Sequence, residues 1–255
     1  MKIFSKYRAA VAVACFGMIL SLVACGGGGV FGDGDNPNAG GPPQFVSGTV
    51  AKRAVLAGAA VNLMCSNGAG LSGTASVTGG YTTAFTSIAY PCIGAAVAAG
   101  GSPTYREVLF SGNVANFSSL TDMLVEAVLA ASAPGSASLS VAEFVTKTSK
   151  DATFSTNVST SANATAYRAV VLNVVATELT ATKTPAEIAT ILGIAATFDI
   201  TPYVFGSPLD KVLDDLAAIL QNADGSVKAT ILAKVKASAD LLPLPPSKAT
   251  GATGS

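Results

Sequence analysis

Across 255 residues the chain carries 15 Lys and Arg against 15 Asp and Glu, with no His and no Trp. Without an imidazole it cannot build a Ser-His-Asp triad, a Cys-His dyad or a His-ligated metal site, which removes most hydrolase and metalloenzyme chemistry. Half of the residues are apolar, enough for a soluble core without implying a protein of many membrane spans.

Lys2, Lys6 and Arg8 precede Ala9 to Val23, an apolar run interrupted by Gly17 and Ser21. A run this short, charged before and ending in small residues, has the layout of a secretory signal peptide over 1–24. It closes on Leu22-Val23-Ala24-Cys25, which resembles the lipobox of bacterial lipoproteins. The resemblance implies that Cys25 receives a diacylglyceryl group, becomes the first residue after cleavage and holds the protein on a membrane through its N-terminal lipid. Each buried acyl methylene contributes about 0.8 kcal/mol, so two or three chains form a lasting anchor. Gly26 stands where an aspartate retains many lipoproteins in the inner membrane, so the same resemblance implies a cell-envelope protein of the outer membrane. Cleavage removes three basic residues and leaves a sparse, mildly acidic surface. With only Lys52-Arg53 and Lys234 with Lys236 close together, nucleic acid is not an expected partner.

Residues 25–44 hold Gly26 to Gly29, Gly32, Gly34, Pro37 and Gly40 to Pro43, a composition that predicts a flexible tether behind the lipid. From 45 to 117 the apolar period is two. Short strands are predicted at Val46 to Val50, Ala59 to Cys65, Ser72 to Val77, Tyr81 to Phe85, Cys92 to Val97 and Glu107 to Phe110. Turns are predicted at Ser66-Asn67-Gly68, Thr78-Gly79-Gly80 and Gly100 to Pro103. Six or so short strands in so few residues predict a small antiparallel β-sandwich.

Val46-Ser47-Gly48-Thr49-Val50, Leu56 to Val61 and Gly79-Gly80-Tyr81 together resemble the carboxypeptidase regulatory-like, or transthyretin-like, β-sandwich of exported bacterial proteins. Thr78 replaces the acidic residue that often precedes the glycine-tyrosine turn there. The resemblance implies a folding, spacing or binding element and no reaction.

From Ser118 the period becomes 3.6, predicting a separate, bundle-like helical region over 118–242 and an α+β fold class. Ser119 with Asp122 and Ser140 with Glu143 read as capping boxes. The first is followed by an apolar stripe of Leu120, Met123, Leu124, Ala127 and Val128, and Pro134-Gly135 is expected to stop that helix. Tyr167 to Leu179 marks a third helix. Thr184-Pro185-Ala186-Glu187 and Ser207-Pro208-Leu209-Asp210 open two more, with Gly193 closing the first of them. Residues 226–238 read as a sixth helix, with Asp224-Gly225 as a hairpin turn in the alternative. An alanine-rich helical region behind such a sandwich resembles a group of proteobacterial lipoproteins. The residues from 243 to 255 read as a disordered tail.

Cys65 and Cys92 remain once Cys15 leaves with the signal and Cys25 takes lipid. In an oxidising compartment they are expected to form a disulfide, closing a loop of about 28 residues for roughly 3 to 4 kcal/mol. A redox pair or a metal site would need closer spacing or further ligands. The G-x-G-x-x-G patterns at Gly27, Gly29, Gly32 and at Gly68, Gly70, Gly73 lack the strand-then-helix context of dinucleotide binding. Asp210, Asp214 and Asp215 lie one turn apart and could hold a cation or supply an acid and a base. The plainer reading has Asp210 complementing the helix dipole and the other two solvated. Asp33, Asp35 and Asn36 begin like a calcium loop that Pro37 breaks. Tyr81 and Tyr90 could stack on a sugar or peptide, or simply pack. No catalytic residue, cofactor or metal is expected. The reading is a lipid-anchored, non-enzymatic binding or structural module for an envelope protein or glycan. The alternative is a carboxylate-only enzyme or enzyme accessory, glycosidase-like or peptidase-associated.

Overall fold

The structure is a computed structural model that describes residues 44–52, 54–85, 87–133 and 138–243. The signal segment, Cys25, the tether before Gln44, the Asp33 to Asn36 motif, the Pro134-Gly135 stop and the tail from Leu244 lie outside the described residues. Those from Gln44 onward belong to one compact unit.

Six strands come first: β1 Gln44–Thr49, β2 Ala60–Cys65, β3 Gly70–Thr74, β4 Gly80–Phe85, β5 Cys92–Val97 and β6 Thr104–Leu109. They form a two-stranded sheet, β1-β4, and a four-stranded sheet in the order β3-β2-β5-β6, all antiparallel. Strand alternation aims Val46, Val61, Leu63, Ala96, Tyr105 and Leu109 into one shared core with Tyr81 and Phe117, as a period of two requires. Residues 113–117 run parallel beside β1, through the Ser47 and Val114 and the Val50 and Phe117 bridges. β3 begins before the predicted Ser72 because the Ser66 to Gly68 turn is tight, with Gly68 at φ 81°, and places Leu71 directly across from Leu63. β6 also begins earlier than predicted, at Thr104, which brings Arg106 into it beside Glu107.

Seven helices follow: α1 Ser119–Ala131, α2 Val141–Lys150, α3 Ala152–Val158, α4 Ser161–Leu179, α5 Pro185–Ala195, α6 Pro208–Leu220 and α7 Ala229–Ala239. The α+β class is therefore as the periodicity predicts, sandwich first and helices after. The helical core includes Ile93, Val108 and Phe110 from the sandwich region, so the outer side of β5 and β6 carries the helices. Every residue of α1 except Glu126 is buried, because α1 lies between β6 and the α4, α6 and α7 layer. The expected single stripe on this helix was too narrow; alanine lets neighbours close on all sides.

Cap chemistry explains most helix starts. Ser140 with Glu143 and Thr184 with Glu187 form reciprocal capping boxes, and Ser207 accepts the Asp210 N–H. For α1 the cap is Ser118, not Ser119, and Thr121 returns the bond to the Ser118 N–H. Gly193 does not close α5, which continues to Ala195. Helix α3 was not predicted; Asp151 both ends α2 and caps α3. Around 221–239 both readings hold in part: Gly225 turns a short hairpin that bridges Gln221 to Val227, and α7 follows. That hairpin is fastened to the sandwich, with Tyr105 Oη donating to the Gly225 carbonyl at 2.7 Å and Lys52 Nζ to the Asp224 carbonyl at 2.5 Å.

A candidate binding surface

The segment 196–206, between α5 and α6, crosses from the helices to the sandwich as a strap. Its inner side is held by partners from four elements. Arg168 on α4 donates from Nε to both Asp199 oxygens at 2.8 Å and from a terminal nitrogen to Oδ2 at 2.8 Å, a forked arrangement that a guanidinium suits and an ammonium does not. Asn116 Nδ2 donates to the Phe198 and Thr201 carbonyls at 3.2 and 2.7 Å. Thr49 Oγ1 donates to the Tyr203 carbonyl at 3.1 Å. At the far end the Asp210 carboxylate accepts the Tyr203 hydroxyl and, at 2.7 Å, the Gly206 N–H. Burial and the neighbouring Asp210 push the Tyr203 phenol far above its ordinary value, so it stays a donor.

With its inner side fixed, the strap turns other side chains outward. Ile200 is 47% exposed, Val204 62% and Phe205 67%, and Val77 on the β3 to β4 turn reaches 85%. Val55, Val77, Thr78 and Phe205 line a shallow depression of about 260 Å³. The turn beneath is rigid. Gly79 has φ 75°, its carbonyl accepts the Val50 N–H at 2.9 Å, and a Cβ there would lie 2.7 Å from that of Val55. Large apolar side chains left exposed on two restrained loops are the kind of surface that binds something.

The residues singled out by sequence have other roles. Cys65 and Cys92 are bonded to each other in the sandwich core. Tyr81 packs near Phe117 and donates to the Ala115 carbonyl at 2.7 Å; Tyr90 donates to the Gly112 carbonyl at 2.5 Å. Gly70 and Gly73 lie within β3. Asp210 is buried against the strap, while Asp214 and Asp215 are exposed, and Asp215 borders a depression with Lys183, Glu187 and Thr190. The three do not converge in a cleft.

Other carboxylates are engaged one by one. Asp122 and Glu126 meet Arg106 at 2.6 and 3.3 Å, and Glu143 and Glu187 cap helices, which holds both below the usual carboxylate range. Glu107 is sealed in the fold, where burial raises it well above that range. Among the described residues no group of three potential ligands could hold a metal ion, and no helix is long and apolar enough to cross a membrane.

No protein-family model, curated protein or solved structure matches this chain.

Its surface must therefore be read from its own residues. Sequence reasoning passed over the strap because Asn116, Arg168 and Asp199, which fasten it, are far apart in the chain. One local signal was present: Ile200 to Ser207 is an uncharged segment with bulky apolar residues between Pro202 and Gly206, a loop composition that neither helix nor core requires.

Proposed function

We propose that this protein is a lipid-anchored component of the bacterial cell envelope, in the outer membrane, whose folded unit acts as a non-enzymatic binding or structural module. The observation that carries the binding role is the outward display of Val77, Val204 and Phe205 from loops whose inner sides are clamped, because an apolar surface held ready loses little freedom on contact. The lipobox-like Leu22-Val23-Ala24-Cys25 supports the anchor. The Cys65 and Cys92 bond supports an oxidising compartment. Engagement of the carboxylates in caps and ion pairs supports a non-enzymatic reading. The likeness of the first strands to a carboxypeptidase regulatory-like sandwich supports a role in spacing or binding.

Two measurements test this. Metabolic labelling with a fatty acid should mark the wild type and not Cys25→Ser; equal label in both would remove the anchor. A photo-crosslinking amino acid at 205 should capture an envelope component in living cells while one at 64, exposed on the four-stranded sheet, should not. Equal capture at both positions would remove the binding surface.

A further inference from the structure

We infer that the occupant of this apolar crest is the phospholipid surface to which the chain is tethered, and that the crest sets the orientation of the folded unit on the bilayer. The inference rests on the anchor proposed at Cys25.

Three observations favour lipid. The first is shape. Val77 and Phe205, at 85 and 67% exposure, border a depression of only about 260 Å³, and Val204, next to Phe205 in the chain, is 62% exposed. A stable protein interface needs roughly 1,200 Å² or more of complementary surface, whereas a bilayer accepts protruding apolar tips of any outline.

The second is charge. Neither 200–208 nor 76–80 contains an acidic or basic residue, so both loop tips can enter the headgroup boundary without desolvating an ion.

The third is reach. From Cys25 to Gln44 the chain can span at most about 65 Å, and β1 carries it only about 17 Å further to Thr49, where the strap is bonded. An acylated Cys25 thus keeps the crest within range of the same membrane. Contact then becomes an intramolecular event that needs little intrinsic affinity. Two or three acyl chains already hold the protein, so what the crest adds is direction: the strap turned toward lipid.

The chain has no tryptophan, so a single introduced indole reports its own surroundings. Phe205→Trp and, on the other loop, Val77→Trp would be prepared as the full acylated protein in phosphatidylethanolamine and phosphatidylglycerol vesicles with or without brominated phosphatidylcholine, beside Met64→Trp. Both crest reporters should shift to the blue and lose intensity in brominated vesicles, and the Met64→Trp reporter should do neither. Protein that floats with vesicles while its crest emission is untouched by bromine overturns the inference and leaves the anchor standing. A blue shift without bromine quenching means the crest is covered by protein, a second copy included, and also overturns it. Protein that does not float overturns the anchor, and this inference with it.

Discussion

Arg168 and Asp199 face each other across the joint between α4 and the strap, with the guanidinium forked onto a carboxylate that is only 2% exposed. The pair fixes the strap where it leaves α5, and the display of Ile200, Val204 and Phe205 depends on that point. Arg168→Met should leave Asp199 buried and uncompensated and cost about 3 to 5 kcal/mol. Arg168→Lys, which keeps the charge and loses the fork, should fall between Arg168→Met and wild type. Urea denaturation gives the stabilities, and limited proteolysis should show cleavage within 196–206 appearing first in the Met variant. Wild-type stability for Arg168→Met would show that the clamp contributes nothing.

Gly48 gives a steric prediction. Residues 113–117 lie so close along β1 that a Cβ at Gly48 would sit 1.7 Å from the Ala115 carbonyl oxygen. Ser47 and Ala115 hold the two segments together, Ser47 N–H donating to Asn113 at 2.9 Å and Ala115 N–H to Ser47 at 3.0 Å. Backbone cannot move aside as a side chain can, so Gly48→Ala should destabilise by about 3 kcal/mol, the upper end for overpacking. Gly68→Ala, where a Cβ meets nothing within 4 Å, should cost only its positive-φ strain, about 1 to 2 kcal/mol. Thermal melts of the two variants check the order; the reverse order would refute the close approach.

Loss of the Cys65 and Cys92 disulfide should be felt by the whole folded unit. Cys65 and Cys92 are register partners on neighbouring strands and lie 27 residues apart in the chain. In the chain-entropy estimate the loop they close is worth about 3 to 4 kcal/mol. Since Ile93, Val108 and Phe110 belong to the helical core, the sandwich and the helices should melt together, and the loss should spread over the whole unit. The Cys65→Ser, Cys92→Ser double variant should melt roughly 6 to 16 °C lower, at the 2 to 4 °C per kcal/mol usual for this size. Free thiols at both Cys65 and Cys92 in the denatured, unreduced protein would show that the bond does not form.

What was legible in the sequence was local. Period-two runs located β2 and β4 because their inward residues alternate, and Ser-Pro, Thr-Pro and Ser-to-Glu spacings located helix starts because cap chemistry is complete within four residues. The cysteine pairing was legible because Cys65 and Cys92 are the pair that the signal-peptide and lipobox readings of Cys15 and Cys25 leave over. Long-range features were not. Nothing near Arg106 announces Asp122 and Glu126, nothing near Asn116 announces the strap, and the full burial of α1 follows from what lies on either side of it. The three aspartates of α6 divide as the plainer sequence reading has them, Asp214 and Asp215 exposed and Asp210 in the first turn; what spacing could not show is that Asp210 turns inward to Tyr203 and Gly206.

Glu107 yields a prediction about pH. It sits on β6 with its carboxyl inside the fold, and Oε1 accepts the Val108 N–H at 3.0 Å. Burial raises it well above the ordinary value of 4.5, helped by the nearby Asp199; the Val108 N–H, the Thr121 hydroxyl and the Arg168 guanidinium pull the other way and are outweighed. The folded state therefore keeps the proton after the unfolded chain has released it. Below the unfolded value both states are neutral there and Glu107 is without penalty. Above it the unfolded state binds fewer protons, so stability falls as pH rises, by up to about 1.4 kcal/mol per pH unit, until Glu107 ionises in the fold. Glu107→Gln removes the titration and nearly preserves the shape. The wild type minus variant stability difference, from urea denaturation, should decline steadily from about pH 4.5 upward, with the glutamine protein the more stable at neutral pH. A difference that stays constant from acid to neutral pH would show that Glu107 ionises in the folded protein as readily as in the unfolded chain, with the Val108 N–H, the Thr121 hydroxyl and the Arg168 guanidinium offsetting its burial.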